Sequence, residues 1–306
     1  MYRTDTCQCC GSLDLEAYPA GIAPFIVEYV LQGLASSSRL MECRQCTFRF
    51  YETRFDDAEA ARLYADYRGE RYFRVRHRHE PWYTRAFNDG LATTGGVDIR
   101  RREIGSWLKQ LAGTRSLSRV LDYGGDRGQF LPHEPGLARF VYDISGVKPE
   151  PGVTAYAAEA ELTGQTFDGI VISQVLEHVS DVAHVLDHVR SLAAPSGSAL
   201  IVEVPFEHFE LRLIGKSARY QAYVDRVLRT QPLARALDFY SAVFRTQLGI
   251  IPPLGFPRMH EHINYYGGRA LRAALTTRGF EVVSCEQTTT SSGKVWLALA
   301  RSTKSP

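Results

Sequence analysis

Asp122-Tyr-Gly-Gly-Asp-Arg-Gly128 is the segment whose residue types say most about chemistry, an acidic, glycine-rich turn directly after the apolar pair Val120-Leu121. Gly124, Gly125 and Gly128 let backbone approach a ligand where side chains would block it. Such a turn suits a nucleoside-containing cofactor lying across the carboxyl ends of parallel strands, where open α/β folds place their ligands. Asp143 closes the run Arg139-Phe-Val-Tyr-Asp143. It lies about 20 residues downstream, where an acid accepts ribose hydroxyls.

Two further constellations carry chemistry. Cys7-x-x-Cys10 and Cys43-x-x-Cys46 have the spacing of zinc knuckles, and two such pairs supply four thiolates to one tetrahedral ion. Cys9 lies inside the first pair and could replace either neighbour. No signal peptide or long apolar run opens the chain, so a reduced cytoplasm and a metal are expected in place of disulfides. Four thiolates leave no open coordination position, which makes the expected zinc structural. Cys285, alone in a predicted strand, reads as core packing. The other constellation is built on histidine: His178 after an apolar strand, His208 in Val204-Pro-Phe-Glu-His208, and Met259-His-Glu-His-Ile-Asn-Tyr-Tyr266. The last of these has no amphipathic period, which predicts a loop lined with functional groups, among them candidate bases.

Alternating strands and helices must position these groups. A helix is predicted over Asp98 to Ala112, with Ile99, Ile104, Trp107, Leu108 and Leu111 near one face and Asp98 as N-cap. Strands follow at Val120, at Arg139 to Asp143, at Val153 to Ala157 and in Phe167-Asp-Gly-Ile-Val-Ile-Ser173. A helix capped by Ser180 runs from Asp181 to about Ala194, Pro195 and Gly197 stop it, and Ser198-Ala-Leu-Ile-Val-Glu-Val204 is a fifth strand. Such alternation predicts an α/β, doubly wound, mostly parallel sheet.

This arrangement resembles the class I S-adenosylmethionine-dependent methyltransferases from roughly Asp98 to Arg301. The likeness is carried by the Asp122 to Gly128 turn, Asp143, the Phe167 to Val179 block, and an ending with a helix at Gly267 to Arg278 and strands at Gly279 to Cys285 and Lys294 to Ala300. It implies a seven-stranded sheet and S-adenosylmethionine as cofactor. Asp122 and the backbone of Gly124 and Gly125 would face its methionine part, Asp143 its ribose, and Glu159 its adenine. Ser173 and Gln174 would line the cofactor cleft and face the substrate. The family turn usually has glycine at alternate positions, whereas here the middle one is Asp126 and an extra glycine stands at Gly125. Asp126 also argues against a nicotinamide dinucleotide, since a carboxylate there would repel the pyrophosphate. A donor bearing an amino group and a sulfonium is the better electrostatic match.

Within that family, Glu261-His262 and the cysteine module resemble those of sugar C-methyltransferases. The likeness implies His262 as general base, with Glu261 orienting or polarising it. His178 is placed by it beside cofactor and substrate, and His208 falls at the expected substrate edge. Sugar C-methyltransferases carry a further Rossmann-type domain, whereas this sequence ends at Pro306 soon after its last strand.

With 306 residues, 44% of them hydrophobic, the chain can build one large domain and a small one. The expected organisation is a zinc-binding, zinc-ribbon-like module over 1–54, a helical linker region over 55–97, and the methyltransferase domain over 98–306. A helical insertion over 207–258 would serve as lid, substrate platform or homo-oligomer contact. In the linker a helix-like segment, Asp56 to Tyr67, precedes a run of Arg68, Arg71, Arg74, Arg76, His77, Arg78 and His79, which with Tyr64, Tyr67, Tyr72 and Tyr83 is read either as a solvated face or as an anion cradle. A net charge of +2 argues against a nucleic-acid partner. No transmembrane segment is evident, and a cytoplasmic protein is expected. The reading favoured is methyl transfer to a sugar, as a nucleotide-activated sugar or the end of a surface polysaccharide such as O-antigen, or of another glycosylated product. O- and C-methylation are left open. A zinc-ribbon RNA methyltransferase or RNA-binding module is disfavoured by the charge and by Ser173-Gln-Val-Leu where an Asn-Pro-Pro-aromatic turn would stand. A non-catalytic cofactor-binding scaffold has only the altered glycine turn in its favour.

Overall fold

The computed structural model describes residues 1–33, 37–91 and 96–302. Residues 34–36 of the expected zinc module, 92–95 of the expected linker and 303–306 at the expected end of the last domain lie outside the described residues. In chain order the strands are β1 (Tyr2–Arg3), β2 (Leu15–Ile22), β3 (Ser37–Cys43), β4 (Arg49–Tyr51), β5 (Thr53–Arg54), β6 (Arg119–Tyr123), β7 (Ala138–Tyr142), β8 (Val153–Tyr156), β9 (Gly169–Ser173), β10 (Ser198–Pro205), β11 (Arg258–Met259), β12 (Asn264–Tyr265), β13 (Phe280–Thr290) and β14 (Gly293–Ser302). The helices are α1 (Pro24–Tyr29), α2 (Asp57–Tyr64), α3 (Glu70–His79), α4 (Arg85–Leu91), α5 (Val97–Ala112), α6 (Val182–Ser191), α7 (Ala218–Leu228), α8 (Gln231–Leu248) and α9 (Gly268–Thr277).

Two compact units divide the chain. The first comprises Met1–Cys7, Ser12–Thr93 and Glu207–Tyr265, and the second Gln8–Gly11, Thr94–Phe206 and Tyr266–Pro306. The second unit is built on a seven-stranded sheet of order β13-β14-β10-β9-β6-β7-β8. Strands β10 to β8 of that order are parallel, and β14 runs antiparallel to β10 and β13, which is the mostly parallel, doubly wound sheet expected. From β6 the chain moves outward through β7 and β8 and then returns to the other side at β9. The carboxyl ends of β6 and β9 therefore flank the switch point at which such sheets bind ligands.

Apolar periodicity explains how the helices dock. Ile104, Leu108 and Leu111 of α5 join Val120, Val171, Ile201 and Leu297 in one buried cluster, each large side chain contributing about 1.5–3 kcal/mol; Trp107 packs against it partly buried, whereas Ile99, expected on the same face, is exposed at the start of the helix. Val182, Val185, Leu186 and Val189 form the buried stripe of α6. Both predicted caps differ from those found. Gly96, in left-handed backbone, precedes α5, and Asp98 lies inside the first turn. For α6 the cap is Asp181 and not Ser180, its carboxylate accepting from the His184 backbone N–H at 2.9 Å.

The first unit contains a five-stranded sheet of order β11-β2-β3-β4-β12. The predicted Met259–Tyr266 loop is corrected in part: its two ends are strands, β11 parallel to β2 and β12 antiparallel to β4. Phe209, Ile251, Met259 and Ile263 share a core with Phe25, Leu40, Tyr51 and Tyr72, so residues 207–265 are built into this unit. A capping box between Asp56 and Glu59 opens α2, and the separate helix α3 carries most of the arginine run. Among the described residues no helix is long and apolar enough to cross a membrane.

Candidate active site

The turn after β6 has positive φ at alternate positions, +75° at Gly124, +55° at Asp126 and +68° at Gly128. Aspartate tolerates left-handed backbone better than most residues, so Asp126 keeps the conformation that the family usually gives to glycine. Gly125 is required for a different reason. A methyl group on it would stand 2.0 Å from Asp122 Cγ, so backbone and carboxylate can be this close only without a side chain. Asp143, one residue past β7, clasps the turn: Oδ2 accepts from the Asp126 backbone N–H and Oδ1 from that of Ser145, each at 2.8 Å. Two of its four acceptor sites remain for a ligand.

Asp122 is buried at the end of β6. Burial pushes its pKa up to about 7; Arg100 opposes the rise, and Asp143 and Asp126 add to it. A cationic amino group placed beside this carboxyl would restore its charge, which is the donor chemistry the methionine end of S-adenosylmethionine offers. Glu159, the expected adenine contact, accepts from Tyr123 Oη at 3.1 Å and lies 2.9 Å from His184 Nε2.

Ser173 and Gln174 belong to a polar network that the sequence reading missed. Glu203 of β10 and Arg100 of α5 are buried and paired in two-pronged fashion, Nη1 to Oε2 at 2.9 Å and Nη2 to Oε1 at 2.8 Å. Arg100 Nη2 also donates to Ser173 Oγ at 2.8 Å. Gln174 donates its backbone N–H to the Glu203 carbonyl at 2.9 Å and its Nε2 to Oε1 at 3.2 Å. A signal was present in the sequence, since a carboxylate within the apolar run Ser198 to Val204 demands a buried cation.

In the first unit, Glu261 lies against Tyr72 Oη and Arg76 Nη1. Burial opposes its ionisation, but Arg76, with His260 and Tyr72, outweighs that and holds Glu261 well below the usual carboxylate range. The arginine also reaches Glu80 at 3.0 Å and stacks 4.0 Å over the Tyr83 ring. Tyr72, Arg76 and Glu80 are spaced to face inward together from α3. His260 is pushed down to about 4, first by burial and then by Arg76. The carboxylate in contact with His262 is Glu207, at 2.5 Å from Nδ1. His208 is mostly exposed beside Glu210 at 3.1 Å, and in the second unit His178 Nε2 lies 3.9 Å from Glu177. In the arginine run Arg74 pairs with Glu70 and Arg78 with Glu28, Arg76 turns inward, and Tyr64, Tyr67 and Tyr72 pack ring against ring.

The sulfurs of Cys7, Cys10, Cys43 and Cys46 all lie within 4.8 Å of one another, and those of Cys7 and Cys46 are 3.5 Å apart. In a tetrahedron with Zn–S of about 2.3 Å the sulfurs are about 3.8 Å apart, so the donor set fits that ion. Cys9, also buried, is not one of the four.

Residues 98–285, well over half of the chain, match the family described as a methyltransferase domain. The chain belongs to this family and is an S-adenosylmethionine-dependent methyltransferase of the class I fold. No curated protein matches it. Among solved structures it is similar to the 1,6-didemethyltoxoflavin-N1-methyltransferase of Burkholderia thailandensis with 1,6-didemethyltoxoflavin and S-adenosylhomocysteine bound, at 19% identity and a TM-score of 0.43 over 72% of this chain and 84% of that one. It is also similar to the magnesium protoporphyrin IX methyltransferase of Synechocystis PCC 6803 with S-adenosylhomocysteine bound, at 16% identity, a TM-score of 0.39 and coverage of 68% and 87%. A third is the N-methyltransferase NodS of Bradyrhizobium japonicum WM9, at 15%, 0.36, and 68% and 98%.

Proposed function

We propose that the chain methylates a sugar, either nucleotide-activated or terminal in a surface polysaccharide or other glycosylated product, with His262 as general base. The observation that carries this reading is the Glu207–His262 contact on Nδ1. A carboxylate there keeps the proton on Nδ1 and makes Nε2 the basic nitrogen. An acceptor hydroxyl, or a carbon beside a carbonyl, must lose a proton when it is methylated, so both outcomes call for such a base. The sugar acceptor is supported by the likeness of Glu261-His262 and the cysteine module to sugar C-methyltransferases. In this reading Glu207 orients the imidazole, Glu261 anchors the segment from within its own unit, and His178 and His208 are further candidates for acceptor contacts.

When bound, S-adenosylmethionine supplies the electrophilic methyl group. Asp122 would pair with its amino group, the backbone of Gly124, Gly125 and Gly128 would admit it closely, Asp143 would accept from its ribose hydroxyls, and Glu159 is retained as the acid for adenine. A structural zinc ion on Cys7, Cys10, Cys43 and Cys46 would tie the two knuckles together. Homo-oligomerisation has its support in the outer face of α8, where Leu233, Phe239 and Val243 are exposed on an uncharged stripe that two copies could bury together.

The test is release of S-adenosylhomocysteine from a panel of nucleotide-activated sugars. His262→Asn should abolish turnover and leave S-adenosylhomocysteine binding by calorimetry unchanged. Substantial residual turnover in that variant would exclude the role.

A further inference from the structure

Gln174 stands at the carboxyl end of β9 with φ of +58°, a left-handed conformation that an L-residue keeps only when its surroundings impose it. The hydrogen bonds that hold it there run to Glu203. Glu203 takes the Gln174 backbone N–H on its carbonyl and the side-chain amide on its carboxylate, as described above. What the bend achieves is visible one residue on. Val175 comes so close to the glycine turn that a methyl group on Gly124 would lie 2.6 Å from Val175 Cγ2. On its other side Gly124 donates its backbone N–H to the Tyr142 carbonyl of β7 at 2.7 Å. The turn is thus held between β7 and the segment that leaves β9.

We propose that Glu203, neutralised by Arg100, is a positioning residue for cofactor binding: it fixes the left-handed bend at Gln174, and the bend seats Val175 against Gly124. A buried ion pair between a helix and a strand is seldom the most stabilising choice, because well-packed apolar residues could fill the same space at no desolvation cost. Here the carboxylate does what an apolar residue cannot, since its oxygen accepts from Gln174 while its charge is met by the arginine fork. Ser173 Oγ is drawn into the same set by Arg100. Three segments distant in sequence, α5, the end of β9 and β10, are locked at one point beneath the switch-point crevice. The inference rests on the methyltransferase family and is independent of which acceptor the enzyme uses.

The probe is S-adenosylhomocysteine, titrated by calorimetry into the full chain, with thermal melts recorded for each variant. Glu203→Gln should weaken binding at least tenfold, because the neutral amide no longer meets the Arg100 charge or holds Gln174 as firmly. Gln174→Gly takes positive φ without help and so no longer needs Glu203 to hold the bend, which makes its own affinity the reference for the double variant. The decisive variant is the double one. Added to Gln174→Gly, Glu203→Gln should cost less than about threefold in affinity, and a cost as large as in the wild-type chain, or a Glu203→Gln single that binds like wild type, would overturn the proposal. If the Glu203 variants do not fold, Gln174 carries the test by itself. Gln174→Asn, tolerant of left-handed backbone, should bind far better than Gln174→Ala, and equal affinities would refute the role of the bend. A wild-type chain that ignores S-adenosylhomocysteine would sink the cofactor assignment itself, an outcome separate from any difference among variants.

Discussion

Replacing Asp122 by asparagine should stabilise the cofactor-free protein while depriving it of the cofactor. The carboxyl group is buried with a pKa near 7 against an ordinary value of 3.8, burial being the main cause. About 3 units at 1.36 kcal/mol each make its ionisation in the folded chain cost on the order of 4 kcal/mol more than in the unfolded chain. Because the folded pKa is the raised one, the favourable contribution is complete below about pH 4 and is lost as the pH climbs through 7. An asparagine never ionises, so its advantage over the wild type should be about 4 kcal/mol at pH 8 and less than half of that at pH 5. Denaturant unfolding of the cofactor-free chain at the two pH values measures the gap. Binding should show the reverse. S-adenosylhomocysteine brings an ammonium that the ionised carboxylate holds, so wild-type affinity should fall roughly tenfold from pH 8 to pH 6 and binding at pH 6 should release close to one proton. Asp122→Asn should bind at least a hundredfold more weakly, with no such proton release. An asparagine variant less stable than wild type at pH 8, together with affinity flat between pH 6 and 8, would refute the reasoning.

Gly125→Ala forces a methyl group to within 2.0 Å of the Asp122 carboxyl carbon, and that side chain is buried with little room to retreat. Calorimetry should find S-adenosylhomocysteine affinity reduced more than tenfold, and an unchanged constant would show that the turn is looser than described. Glu261→Gln and Glu207→Gln should differ in kind. The first leaves Arg76 short of a buried partner and should cost about 3 kcal/mol of stability. The second should leave stability nearly unchanged but shift the pH–rate profile, because it removes the carboxylate from His262; equal effects of the two on the profile would contradict this division. Chelation of the intact protein, followed by limited proteolysis, should expose the first sixty or so residues to cleavage as the knuckles loosen. Unaltered resistance, with less than one zinc per chain by metal analysis, would remove the ion from the account.

What could be foreseen from the sequence was whatever repeats locally. Strands β9 and β10 are buried on both faces and read as apolar runs, and α5 and α6 carry their buried residues at helical spacing. The cap of α6 is ambiguous in sequence because neighbouring residues satisfy the same rule: Ser180 and Asp181 both offer an oxygen, and only the folded chain decides which meets the His184 N–H. Strands β11 and β12 hold two residues each, too few to display any alternation, so in sequence their segment reads as a loop.

The partners within the site were hidden for a different reason. Glu203 announces a need for a cation, yet any of the 36 lysines and arginines could have met it, and Arg100 stands 103 residues away. His262 finds its carboxylate 55 residues back at Glu207, while the adjacent Glu261 goes to Arg76, 185 residues off. Neighbouring side chains on a non-helical segment tend to diverge, so an acid beside a histidine in sequence is weak evidence that the two work on the same proton. What sequence adjacency does preserve is the segment as a unit: Glu261 ties it into the charged core of the first unit, and that anchorage lets His262, next in the chain, be held for Glu207 without an element of regular structure beneath it.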